Sequence, residues 1–294
     1  MLQVKPRPTN QYHQPITEKP MSSELVIRLA TFIGVFVIIA FWETKSPCRP
    51  LTLNKKNRWL NNLSLVVLNT IILRLVFPTA AVGMAALASE NHWGLLNQYS
   101  LGLGPSLLIS VIALDLVIYF QHVLFHAVPL LWRLHMVHHA DMDYDVTTGL
   151  RFHPIEIMLS MLIKFAAILV LGPSILAVII FEIMLNATAM FNHGNIRLPK
   201  WLDAMLRLLI VTPDMHRVHH STIKIETNSN YGFSLSCWDR LFGTYRAQPK
   251  HGQTGMVIGL NQFRDPKKQN LHWLLLIPFV SKVGEYPINR EDQS

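Results

Sequence analysis

The sequence is poor in cysteine. It has only Cys48 and Cys237, in no C-x-x-C pattern, which excludes a disulfide framework or a thiolate metal site and suits a reducing compartment. Charge is scarce as well: 15% of the residues are charged, against roughly 25% in soluble domains. Lys and Arg outnumber Asp and Glu by 26 to 18, but the basic residues lie scattered between apolar stretches. A nucleic-acid binder would gather them on one solvated face, so no nucleic-acid partner is expected. No flavin or dinucleotide fingerprint occurs, and no iron–sulfur or haem attachment pattern. The H-E-x-x-H pattern of metallohydrolases is missing too.

What is present is hydrophobic length. Half of the 294 residues are hydrophobic and the mean hydropathy is +0.28, values that favour an integral membrane protein. A spanning helix needs about 20 apolar residues. Leu25–Trp42, Leu63–Ala88 and Leu107–Phe125 meet that need, and no cleavage site follows the first, so it reads as an anchor. The stretch Ile155–Met190 would be about 54 Å long as one helix, well beyond a hydrocarbon core of roughly 30 Å. Gly172-Pro173 lies at its middle, which predicts a helical hairpin that enters the membrane and returns. Leu271–Val280 is too short to cross and holds Pro278, so an interfacial segment with Trp273 near the headgroups is expected.

These features predict an all-α, polytopic membrane protein. Residues 1–24 form a disordered polar tail, 25–106 the N-terminal membrane helices, 107–250 the catalytic domain, and 251–294 an interfacial segment and tail. Residues 88–104 hold no Lys or Arg, whereas 43–59 hold five and 191–294 hold thirteen. The positive-inside rule places the last two in the cytoplasm, although Lys5, Arg7 and Lys19 sit in a tail that this topology leaves outside. The compartment is a bacterial inner membrane or the endoplasmic reticulum.

Histidine carries the chemistry. In "DLVIYFQHVLFH", the residues Asp115, Tyr119, His122 and His126 form one stripe on an apolar helix. His122 and His126, four apart, can hold one metal from a single face. Asp115 is placed to orient a ligand through its second ring nitrogen or to neutralise metal charge. "HMVHH" and "HRVHH" repeat one spacing with His135, His138 and His139 and with His216, His219 and His220. Both triplets flank the hairpin, so they emerge on one membrane face. Eight imidazoles are too many for a closed four-coordinate zinc site; they suit two ions with four nitrogens each and open positions. His153 in "RFHPIE" and His193 in "FNHGN" emerge on the same face, as ligands or as hydrogen-bond donors behind them. His13, His92, His251 and His272 lie outside the pattern.

The order "HVLFH", "HMVHH", "HRVHH", with "RFHPIE" and "NHGN" between and "NYGFSLSCWDRLFGTY" after, resembles the fatty acid hydroxylase and sterol desaturase superfamily. The resemblance covers residues 107–245. It implies a membrane enzyme with two iron ions that uses O₂ to hydroxylate or desaturate a sterol or fatty acyl lipid. The eight histidines would be ligands, with His153 and His193 as additions. Family hydroxylases can carry another H-x-x-x-H pair near the hairpin's end, where this chain has Ala189 before His193. Iron suits O₂ chemistry and zinc does not, since zinc has no redox change.

Electrons would come from a separate ferredoxin, cytochrome or reductase. Arg240, Arg246, Lys250, Lys267 and Lys268 offer a basic surface for an acidic donor, or plain positive-inside bias. In the closing motif, Trp238, Phe242 and Tyr245 read as interfacial anchors or core aromatics, and Asp239 and Arg240 as an ion pair. Two other classes share some features. A metal transporter or sensor would place its ligands near mid-membrane rather than beyond the span ends. A metallohydrolase would need fewer ligands and a free carboxylate base.

Overall fold

The computed structural model describes residues 20–288 except 100, 281 and 283. The helices run in the order α1 (Pro20–Lys45), α2 (Lys55–Val76), α3 (Ala80–Glu90), α4 (Leu103–Ala127), α5 (Pro129–His139), α6 (Pro154–Leu171) and α7 (Ile175–Asn192). Short helices follow: α8 (Lys200–Leu206), α9 (Pro213–His219), α10 (Lys224–Thr227), α11 (Cys237–Leu241), α12 (Gly252–Gly255) and α13 (Leu271–Val280). Among the described residues there is no strand, only three isolated bridges. Most of the expected disordered tail, up to residue 19, lies outside the described residues, but residues 20–24 already belong to α1.

Among the described residues, five stretches are long and apolar enough to cross a membrane: Glu24–Lys45, Lys55–Asn97, Leu103–Ala127, Pro154–Leu171 and Ile175–Asn192. The protein is therefore an all-α integral membrane protein. The second passage corrects the expected single helix over 63–88. It starts at Lys55 and breaks at Pro78 into α2 and α3, because proline cannot supply the hydrogen bond that would carry the helix through. Phe77 packs edge-on against Phe165 halfway along α6, at a centroid distance of 5.4 Å. Ala81, Ala85 and Ala88 continue alongside Ile168, Val178 and Phe181.

The hairpin is present as expected. α6 starts with Pro154 at its first turn, where no intrahelical donor is needed, and ends on Gly172 in the left-handed region at φ 68°. Ser174 then caps α7 by accepting from the Ala177 N–H. A Cβ at Gly172 would lie 2.7 Å from the Trp93 carbonyl oxygen, so the loop after α3 closes directly over the hairpin tip.

The segment after residue 250 is more than an interfacial tail. Leu260, Phe263, Leu274, Ile277 and Tyr286 pack with Trp132, Met136 and Val137 of α5 into one apolar cluster. The α13 helix thus braces the His-bearing helix through Leu274 and Ile277. The Ile288 N–H donates to the His126 carbonyl oxygen.

Candidate metal centre

Four segments bring their histidines to one place. α4 contributes His122 and His126, α5 contributes His135, His138 and His139, the C-cap of α7 is His193, and α9 with its C-cap supplies His216, His219 and His220. All nine are buried. They form two adjacent groups, His122, His126, His135, His139 and His219 in one, His138, His193, His216 and His220 in the other, with the candidate ligand atoms of each within 4.8 Å of one another. The two groups touch where His139 stacks on His220 at 4.6 Å. The expectation of four nitrogens each becomes five and four, since the eight histidines of the three motifs divide five and three and His193 completes the second group. Each H-x-x-H-H triplet straddles both groups, because residues three apart on one helix diverge enough to face different neighbours.

The ring nitrogens have the polarity a metal needs. The Nδ1 atoms of His122 and His219 donate to the backbone carbonyls of Tyr231 and Ser229 at 2.8 and 2.7 Å. His126 Nδ1 meets Asn228 Oδ1 at 3.1 Å and His135 Nδ1 meets Glu156 Oε1 at 2.6 Å. His193 Nδ1 donates to the Ala189 carbonyl at 2.8 Å, so the residue that breaks the second H-x-x-x-H pair still fixes the ring through its backbone. With Nδ1 protonated, Nε2 points a lone pair inward. The Nε2 atoms of His122, His126, His135 and His219 are buried without a partner. Those of His138 and His216 lie 3.2 and 3.1 Å from His193 Nε2. Convergent buried lone pairs with no donor between them would be costly unless a cation satisfies them, so the residues fit a pair of metal ions.

Protonation agrees with this. Burial lowers His135 and His193 to about 3. Burial, reinforced by neighbouring imidazoles, lowers His138, His139, His216, His219 and His220 well below the usual range. These rings are neutral near pH 7, the form that binds metal.

Three sequence expectations change. His153 joins neither group: its Nδ1 accepts from the Ile155 N–H at 3.2 Å and caps α6, and its Nε2 faces the Leu275 carbonyl at 3.3 Å. Asp115 does not orient His122. Its Oδ2 accepts from Trp238 Nε1 at 2.9 Å and from the Leu235 N–H at 3.1 Å, and so pins the closing motif to α4. Asp239 and Arg240 are not an ion pair: Asp239 accepts from the N–H groups of Tyr231 and Gly232 and from Thr244 Oγ1, while Arg240 reaches the carbonyls of Ser236 and Arg207. Of the motif's aromatics, Trp238 is a core residue, and Phe242 stacks on Tyr119 at 5.2 Å while staying part-exposed.

Glu156 and the run Asp141, Asp143 and Asp145 were not anticipated. Arg58 of α2 bonds Asp141 at 2.7 Å and Asp145 at 2.5 Å, and Arg151 donates to the Val137 carbonyl at 2.8 Å. Asp143 receives the N–H groups of Thr52 and Leu53. This network ties the loop after α5 to the start of α2. Three aspartates at alternate positions directly after a His triplet, with a basic run at Lys55–Arg58, were the available signal. Gly149 in the same loop abuts the centre, since a Cβ there would sit 3.0 Å from His193 Nδ1 and 2.6 Å from the Ala189 carbonyl.

A cavity of about 420 Å³ opens beside the centre, walled by α1, α2, α4, α6 and α7. Of the nine histidines only His122 and His135, both from the group of five, line it, together with Phe125, Phe152, Glu156 and Ile118.

Residues 107–244, just under half of the chain, match the profile of the family described as fatty acid hydroxylase. This segment is a fatty acid hydroxylase domain. It holds all ten of the histidines expected as ligands. The chain is also similar to alkylglycerol monooxygenase of Homo sapiens, 29% identical over 57% of this chain and 36% of that protein. It is similar to ornithine lipid hydroxylase of Rhizobium tropici, 27% identical over 77% of this chain and 69% of that protein. Alkylglycerol monooxygenase of Danio rerio is 32% identical over 53% of this chain. The chain spans about a third of the length of the alkylglycerol monooxygenases it matches. No solved structure gives a significant match.

Proposed function

We propose that the protein is an O₂-dependent di-iron oxidoreductase that hydroxylates a membrane lipid on the cytoplasmic face. The observation that carries this reading is the junction of two neutral, buried histidine groups with the end of a largely apolar cavity among membrane helices. In the group of five, His122, His126, His135, His139 and His219 would hold one iron; His138, His193, His216 and His220 would hold the other. The iron pair supplies the redox chemistry that activates O₂, which none of the side chains can supply. The polypeptide does the rest. Glu156, Tyr231, Ser229, Asn228 and Ala189 fix the ring orientations, and the cavity wall aligns a C–H bond beside His122 and His135 and keeps water out.

The overall change inserts one oxygen atom into a C–H bond and reduces the other to water, which requires two electrons and two protons per turnover. A separate ferredoxin, cytochrome or reductase would deliver the electrons. Hydroxylation is preferred to desaturation because the similar proteins are named for adding oxygen to lipids, an alkylglycerol in one case and an ornithine lipid in the other. The basic residues at 43–59 and 191–294 support a cytoplasmic site.

The test is purified chain, iron, a reductase system and host lipids under isotopically labelled O₂. A lipid gaining one labelled oxygen supports the proposal. Turnover that persists without O₂, or product carrying oxygen from water, refutes it.

A further inference from the structure

The cavity has a second feature besides its His end. Arg28 on α1, Lys164 on α6 and Glu182 on α7 all line it, among residues that otherwise cross the membrane as apolar helices. Lys164 Nζ lies 2.7 Å from Glu182 Oε1 and Arg28 NH2 lies 2.7 Å from Glu182 Oε2, while Arg28 NH1 lies 2.9 Å from Glu24 Oε1. By helical rise Glu182 lies about 16 Å along α7 from His193, and Lys164 about 12 Å along α6 from Glu156. The cluster is therefore deep in the membrane passage. Charges there are expensive, face protein or cavity, and mark function more often than glue.

We infer that this cluster is a subsite for the polar end of the lipid substrate, and that it selects a neutral, oxygen-rich group, such as glycerol hydroxyls or an ester or amide carbonyl, over a free carboxylate. The inference rests on the lipid-oxidising reading above and deepens it.

Two observations choose the chemistry. The first is hydrogen-bonding capacity. An ammonium has three donors and a guanidinium five, yet Lys164 uses one on Glu182, and Arg28 is engaged only by its two carboxylates among the described residues. The remaining donors call for acceptor oxygens. Close by in the same wall, Gln121 donates its amide to Ser160 Oγ at 2.8 Å and leaves Oε1 buried without a partner. That oxygen calls for a hydroxyl or amide N–H. The second observation is charge. Two cations face two carboxylates, so the cluster carries no net charge. A neutral polar group adds hydrogen bonds and no charge. A carboxylate would bring an uncompensated negative charge into a low-dielectric site, where a buried unpaired ion is strongly unfavourable. Anchoring the polar end also fixes which part of the chain reaches His122 and His135.

The experiment is binding of tritiated monooleoylglycerol and tritiated oleate to the full chain in detergent, by scintillation proximity, which needs no turnover. The wild type is expected to bind the glyceride at least about tenfold more tightly, the factor that one charge-assisted hydrogen bond supplies. Glu182→Gln leaves the cluster with a surplus positive charge and is expected to move the ratio toward oleate by about tenfold or more. Gln121→Leu touches no ion pair, so it guards against a variant that simply fails to fold. It is expected to weaken the glyceride several-fold and leave oleate unchanged. Equal wild-type affinities, or a ratio unmoved in both variants that retain wild-type helicity and metal content, would overturn the subsite. The predicted ratios without any O₂-dependent product would leave the subsite standing and remove the hydroxylase reading. Labelled product with unmoved ratios would do the reverse.

Discussion

Both ring nitrogens of His153 are engaged by the scaffold, whereas His135 turns one nitrogen to Glu156 and the other to the cluster. His153→Asn keeps an acceptor for the Ile155 N–H, so metal content should equal that of the wild type, with stability changed by less than about 1 kcal/mol. Metal analysis and a melting curve check this, and a lost ion would restore His153 to the ligand set. Glu156→Ala frees the His135 ring. Partners of this kind are worth roughly 10- to 100-fold in metal affinity or activity, so a chelator titration should show weakened retention, with Glu156→Gln intermediate. Residue types were legible here and partnerships were not. "RFHPIE" presents His153 and Glu156 as equals, and only α5 packing against α6 tells which of them meets the centre.

At the scale of elements, the loop after α5 does as much for the site as any helix. Burial tends to raise the Asp145 carboxyl, but the Arg58 guanidinium outweighs burial and holds it at about 2. Its folded value lies below the unfolded one near 4, so its stabilising effect is present above about pH 4 and lost as the pH falls through about 2. Asp145→Asn also leaves the buried Arg58 with Asp141, shared with Arg151, as its remaining carboxylate, which should destabilise by about 2 kcal/mol at neutral pH. Thermal melts across pH should show that deficit shrinking in the acid range; a deficit constant down to the lowest pH would deny the pairing. Helix periodicity made the hairpin and the α4 stripe readable. It could not divide a triplet between two groups, because i and i+3 positions look equivalent until the surrounding helices are in place. Nor could it show that Asp115 binds Trp238, more than a hundred positions away.

Over the whole molecule, the two ends of the bundle differ in charge and in chemistry. The loop at 91–99 packs at the hairpin tip, away from the histidines, and the Lys250 segment lies near α9. Single cysteines at Asn91 and Lys250, with Cys237 replaced by Ser, should label from opposite sides of an intact membrane, Lys250→Cys from the cytoplasm. Labelling of both from one side would end the proposed topology.

The sequence alone determined that ten neutral-capable imidazoles emerge at span ends, and that the hairpin at Gly172 returns both triplets to one face, because both follow from local periodicity and from proline's missing donor. Tertiary structure decided the rest. It placed His193 inside and His153 outside, set the five-and-four division, and aligned five helices around a cavity with a charged far end. Those outcomes depend on contacts between distant segments, and a contact of that kind leaves no period in the chain to read.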